Sequence, residues 1–207
     1  YIKNNWQVYG AIIIGNSCLI ILLYGLQSWV PTMLLRVYEW DLVQSGRVYG
    51  SIAMLAGSAG VLSGPFVLKY MGKINVNAPH FKLAIFGISM ASLSLVLLPF
   101  QPNVNIALVF VTMASFFVTL PLAGTSSAMV IVSPNRIRGV ITGIYVVVTS
   151  VFGLVLGPFL VASSTDFIFQ DTNAVAKSLA LVSVLVGPVG IFFMYKGINS
   201  FGEIRNV

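Results

Sequence analysis

Side chains able to do acid–base, nucleophilic or metal chemistry are scarce in this sequence and stand apart from one another. Among 207 residues there is one histidine, one cysteine and five acids. His80 stands beside Pro79 in an expected loop, with no carboxylate or serine partner nearby, and reads as a solvated loop residue. A lone cysteine excludes an intrachain disulfide framework or a cysteine metal cluster. Cys18 lies in an apolar run, where a lipid-facing or packing role is expected. No stretch resembles a phosphate-binding glycine loop, a metal-ligand set or a nucleophile elbow. An enzyme is not expected, and neither is a cofactor or a metal.

Uncharged polar side chains are better organised. Tyr9, Asn16 and Gln27 are separated by 7 and 11 residues. At 100° per residue they fall within about 20° of one another on a helix. A polar stripe of this kind faces protein or a water-filled cavity rather than lipid, so interhelical hydrogen bonding and solute contact are both open. Thr112, Ser115, Thr119 and Ser126 form a second stripe, with Pro121 able to shift its phase. Thr142, Tyr145 and Thr149 form a third, in which Tyr145 is long enough to reach into a cavity. Tyr24 and Trp29 could stack on a solute or belong to an interfacial aromatic belt. The candidate cavity residues are therefore Asn16, Tyr24, Gln27, Thr119, Ser126, Tyr145 and Thr149. Arg36 and Arg47 are the nearest basic groups for attracting an anion; snorkelling at two helix ends is their alternative role.

Glycines make a further pattern. Ala53, Gly57, Gly60 and Gly64 recur at helical spacing, and Gly153 and Gly157 repeat a small-xxx-small motif. Such strips let helix backbones approach closely.

The elements that must carry these stripes follow from charge placement. The chain is 57% hydrophobic and 8% charged, far below the quarter or so of charged residues in a soluble domain. Its 11 basic residues against 5 acids sit singly or in pairs at the edges of apolar runs. A nucleic-acid surface needs them clustered on one face, so no nucleic-acid partner is expected. No charge occurs between Lys3 and Arg36, Arg47 and Lys69, Lys82 and Arg136, Arg138 and Asp166, or Lys177 and Lys196. Each gap fits a helix of roughly 20 residues except the third, which is twice too long. Pro99 to Asn105 divides it with a polar, proline-bounded turn. Six spans are expected, at about 8–30, 47–68, 81–99, 104–132, 137–162 and 176–196. All must be helical, since an isolated segment in hydrocarbon has to satisfy its own backbone.

With the N-terminus in the cytoplasm, Lys3, Lys69, Lys73, Lys82, Arg136, Arg138, Lys196 and Arg205 lie inside, and Arg36, Arg47 and Lys177 outside. That bias places both termini in the cytoplasm, across a bacterial inner membrane or a plasma membrane. The chain begins at Tyr1 without a targeting peptide, as a fragment would.

Two stretches resemble the spinster-like branch of the major facilitator superfamily. One is Tyr24 to Arg36, with Gly25, Trp29, Pro31 and Arg36, similar to that branch's seventh helix. The other runs from Pro134-Asn135-Arg136 through Tyr145 to Gly157-Pro158 and Ser164-Thr165-Asp166, similar to its eleventh. The resemblance implies an all-α integral membrane protein, the C-terminal six-helix half of a twelve-helix transporter over residues 1–207. It implies a secondary active transporter working by alternating access, with an N-terminal six-helix half and the lipid bilayer as partners. The family's solutes range over sugars, organic acids, drugs and lipid-like amphiphiles, and an apolar wall with few charges leans towards an organic anion or an amphiphile as the small-molecule solute. In a facilitator the glycine strips would lie where the two halves meet. The superfamily's basic loop departs from pattern: Gly72 and Lys73 match, while Lys69 and Tyr70 stand where an Asp and an Arg are usual. No ionisable residue falls mid-span, so any coupling group belongs to the other half. A channel would need a ring of charges or a filter loop, and neither is present. A non-transporting assembly subunit remains the alternative of another class.

Overall fold

Each apolar stretch forms a helix, and the turns between them are three to five residues long. The computed structural model describes residues 6–205, apart from the side chains of 199–200 and 202–205. Lys3 and the Arg205 side chain lie outside the described residues. Six helices are long and apolar enough to cross a membrane: α1 Trp6–Val37, α2 Leu42–Lys73, α3 Pro79–Phe100, α4 Val104–Val132, α5 Arg138–Phe169 and α6 Val175–Arg205. No strand occurs among the described residues. The molecule is an all-α integral membrane protein.

Several helices outrun the stretch that hydrocarbon requires. Asp41 starts α2 at Leu42 by accepting the Val43 and Gln44 N–H groups at 2.7 and 2.9 Å, as an N-cap does. Arg47 therefore lies within α2. Pro79 opens α3, where its missing N–H leaves no bond unmade. Asn103 caps α4 through the Asn105 N–H at 2.9 Å. Inside the spans, hydroxyls donate to carbonyls four residues back, as Ser17, Ser94 and Thr112 do to Ile13, Met90 and Leu108. These hydroxyls are thus satisfied without water.

Irregular turns interrupt or close several of the helices. A π-helical turn spans Ala53–Gly57 in α2. A turn at Leu120 and Pro121 divides α4 into Val104–Thr119 and Leu122–Val132. A second π-helical turn, Ser164–Phe169, closes α5.

α1 lies at the centre. Its most apolar stretch is 67% buried, against 17% for α2 and 28% for α5. It packs against α5 and α6, while α3 packs against α4 and α6, and α2 leans on α4. Glycine sets two of these approaches. A Cβ added at Gly60 or Gly64 would collide with the α4 backbone between Phe116 and Leu120. One added at Gly157 would lie 2.7 Å from Ile21 O on α1. The strips on α2 and α5 therefore serve contacts inside this bundle, with Gly57 at the margin of the α2–α4 contact.

Candidate functional site

The polar stripe of α1 faces α4 along its length and meets three different surroundings. At one end the Tyr9 hydroxyl donates to Val132 O at 3.2 Å. Midway, Thr125 Oγ1 donates to Asn16 Oδ1 at 2.7 Å. The Tyr145 hydroxyl reaches Thr125 Oγ1 at 3.4 Å from α5. Asn16, Thr125 and Tyr145 are all at most 3% exposed, so three helices share a dry polar node. At the other end Gln27 is exposed and opens onto a cavity.

That cavity has a volume of about 490 Å³ and lies between α1, α2 and α4. Leu23 and Gln27 line it from α1, Tyr49, Ala53, Gly57 and Ser58 from α2, and Ser115, Thr119 and Leu122 from α4. Both irregular segments border it. The π-helical turn of α2 supplies Ala53 and Gly57, and the break at Pro121 lies between Thr119 and Leu122. Such turns free backbone groups and displace side chains, and are frequent at functional sites. Ser115 Oγ is buried in this wall without a hydrogen bond, with the Tyr49 phenol facing it. Thr119 Oγ1 donates into its own helix, to Ser115 O at 2.9 Å, and keeps lone pairs free to accept. No charged side chain lines the cavity among the described residues. It is an apolar pocket with a few convergent hydroxyl and amide groups, the usual composition of a small-molecule site.

Comparison with solved structures identifies the architecture. A bacterial homolog of the human lysosomal transporter Spinster, inward-facing and unoccupied, matches 95% of this chain at TM-score 0.77 and 13% identity. The same kind of protein, inward-facing and occupied, matches 97% at TM-score 0.64 and 14% identity. The fold is that of one half of a spinster-like major facilitator transporter. The chain covers 48% and 49% of those two structures, about half their length. No family model matches the sequence. No curated protein matches it either.

Within this six-helix bundle the other sequence candidates are scattered. Thr149, 3% exposed, donates to Tyr145 O at 2.8 Å and lines no described cavity. Ser126 is exposed and donates to Leu122 O at 3.0 Å, because the turn at Pro121 carries it off the face shared by Ser115 and Thr119. Tyr24 is half-buried at the α1–α5 contact, beside Gly157. Arg36 is exposed and its Nη1 donates to Thr172 O at 3.3 Å, joining the end of α1 to the α5–α6 turn. Arg47 is exposed two residues before Tyr49, which puts it 200° round α2 from that cavity residue.

His80 corrects its loop assignment. It is the second residue of α3, half-buried, with Nδ1 3.1 Å from Gly124 O. A carbonyl only accepts, so Nδ1 carries the proton. Trp29, offered as a stacking or belt residue, donates its indole N–H to Pro158 O at 3.0 Å and ties α1 to α5. Tyr49, Ser58 and Thr125 escaped the sequence stripes. Tyr49 precedes the π-helical turn and Thr125 follows the Pro121 break, where counting 100° per residue loses register.

Proposed function

We propose that this chain is the C-terminal half of a secondary active transporter, moving a small organic solute across a membrane by alternating access. The observation that carries the proposal is the uncharged, partly polar cavity of about 490 Å³ between α1, α2 and α4. It occurs in a fold half as long as the transporters it resembles. In this reading Gln27 and Thr119 contact the solute, with Ser115 and Tyr49 completing the wall. Asn16 and Tyr145 hold the node behind it.

The sparse covering of α2 and α5 supports a second six-helix half. Met54, Leu55, Leu62 and Phe66 of α2 are exposed, as are Val147, Val151, Leu154 and Phe159 of α5. These faces need lipid or protein against them. Where an organic anion is carried, its charge is matched by the other half, since Arg36 and Arg47 stand outside this cavity. Alternating access by rocking of two halves then exposes the shared site to each side in turn.

Uptake of a labelled carboxylic acid and a labelled single-chain amphiphile by the full-length protein in vesicles tests the proposal. Gln27→Leu and Thr119→Val are each expected to lower uptake about tenfold, the cost of one unpaired polar group in a site, with unchanged abundance in the vesicles. Unaltered uptake in both variants would remove the cavity from the transport path.

A further inference from the structure

A second concavity lies at the opposite end of α1 and has a different chemical character. It has a volume of about 370 Å³ and is lined by Trp6, Gln7, Gly10, Ala11 and Ile14 of α1 with Phe193 and Lys196 of α6. The α1 residues recur every three or four positions, so they form one face. The two helices touch at the groove floor, where a Cβ on Gly197 would lie 2.9 Å from Ala11 Cβ. From Gln7 to Ile14 the groove descends about 10 Å along the helix. Its rim is polar, aromatic and cationic, and its deeper part is apolar.

Among the described side chains, charge at this end of the bundle is one-sided. Lys69, Lys73, Lys82, Arg136, Arg138 and Lys196 all stand at the ends of spans on this side. The four acidic side chains that are described, Glu39, Asp41, Asp166 and Asp171, lie at the far end. Lys196 is exposed, and its Nζ rests 4.7 Å from the Phe192 ring centroid. Trp6, 64% exposed, stands at the groove mouth as an interfacial tryptophan does.

We propose that this groove between α1 and α6 is a binding site for an anionic phospholipid. One acyl chain lies over Gly10, Ala11, Ile14 and Phe193, and the headgroup phosphate meets Lys196 beside Trp6. The occupant follows from complementarity: an amphiphile with a negative head and an apolar tail matches a groove graded from cationic rim to apolar floor at the end of two membrane spans. The site is independent of the cavity on the α2 side and of the transport reading.

Quenching of tryptophan by dibrominated phospholipids tests it. The full-length protein is reconstituted in phosphatidylcholine vesicles containing dibrominated phosphatidylglycerol or, at the same fraction, dibrominated phosphatidylcholine. The Trp6 signal is taken as the difference from Trp6→Phe. Half-quenching is expected at about a fivefold lower fraction of the anionic lipid, the effect of one lysine near an anionic headgroup. Lys196→Gln should bring that ratio to about one and Lys196→Arg should restore it. Gly10→Leu, whose nearest neighbour is the Trp6 ring at 4.0 Å, should fill the groove and weaken quenching by both lipids. Lys73→Gln, at the same end but off the groove, should leave the ratio unchanged. Equal quenching by the two lipids in the unaltered protein would overturn the proposal. So would a ratio that survives Lys196→Gln, that falls equally in Lys73→Gln, or that excess inorganic phosphate abolishes.

Discussion

Asn16 and Gln27 share a face of α1, yet the structure separates their surroundings. Asn16 accepts from Thr125 in a dry node, and Gln27 faces an open cavity. Replacing Asn16 by Leu removes an interhelical hydrogen bond worth about 0.6–2 kcal/mol in a membrane and leaves Thr125 with its own helix carbonyl and the Tyr145 hydroxyl. The expected outcome is a lower thermal unfolding temperature in detergent, with uptake per folded molecule retained. Gln27→Leu should do the reverse, keeping the unfolding temperature and losing uptake. Measuring both quantities on both variants distinguishes a packing residue from a solute contact, and equal effects on the two variants would merge the roles.

At the scale of helices, contact distance rather than side-chain chemistry decides which glycines matter. Gly60 is pressed against the carbonyl of Phe116, and Gly157 against that of Ile21. Gly60→Ala and Gly157→Ala are expected to cost about 1–3 kcal/mol through forced separation of packed helices. Gly50 and Gly143 have nothing within 4 Å of an added Cβ, and their alanine variants should change stability by no more than about 1 kcal/mol. Thermal unfolding of the four variants in one detergent checks this contrast. The same contacts explain why the pattern of small residues was visible in the sequence while its partners were not. Spacing along one helix specifies a smooth strip, but the helix that lies in it comes from elsewhere in the chain. The break at Pro121 acts similarly: the proline was legible, whereas its effect of turning Ser126 out and Thr125 in required the geometry of the whole α4.

For the whole molecule, the antiparallel arrangement collects one set of loops at each end. If both termini are cytoplasmic, a cysteine at Lys73 is labelled by an impermeant maleimide from the cytoplasmic side, and one at Asp171 from the opposite side. Cys18 is buried at 5% exposure, so Cys18→Ala supplies a silent background. Labelling of both positions from the same side would break the six-span arrangement. The thinly covered α2 and α5 also predict that the chain expressed alone requires detergent, and that co-expression with a matching six-helix half raises its recovery as a monodisperse species.

The number and helical nature of the spans were determined by sequence alone, because charged side chains cannot remain in hydrocarbon and a buried backbone must bond within itself. The turn at Pro99 to Asn105 was equally readable, since Pro99 and Pro102 bound a polar stretch that cannot continue a membrane helix. The positions of Asn16 and Gln27 on a common face were also determined, by the fixed rotation of a helix. Tertiary structure alone decided which part of that face is dry and which is open. The π-helical turn in α2 and the break in α4 move side chains off the regular period, and the α1–α2–α4 cavity forms where those two irregularities meet α1. Pairings such as Trp29 with Pro158 and His80 with Gly124 join residues far apart in the chain. No local periodicity encodes them, because each depends on how two separately stable helices come to rest against each other.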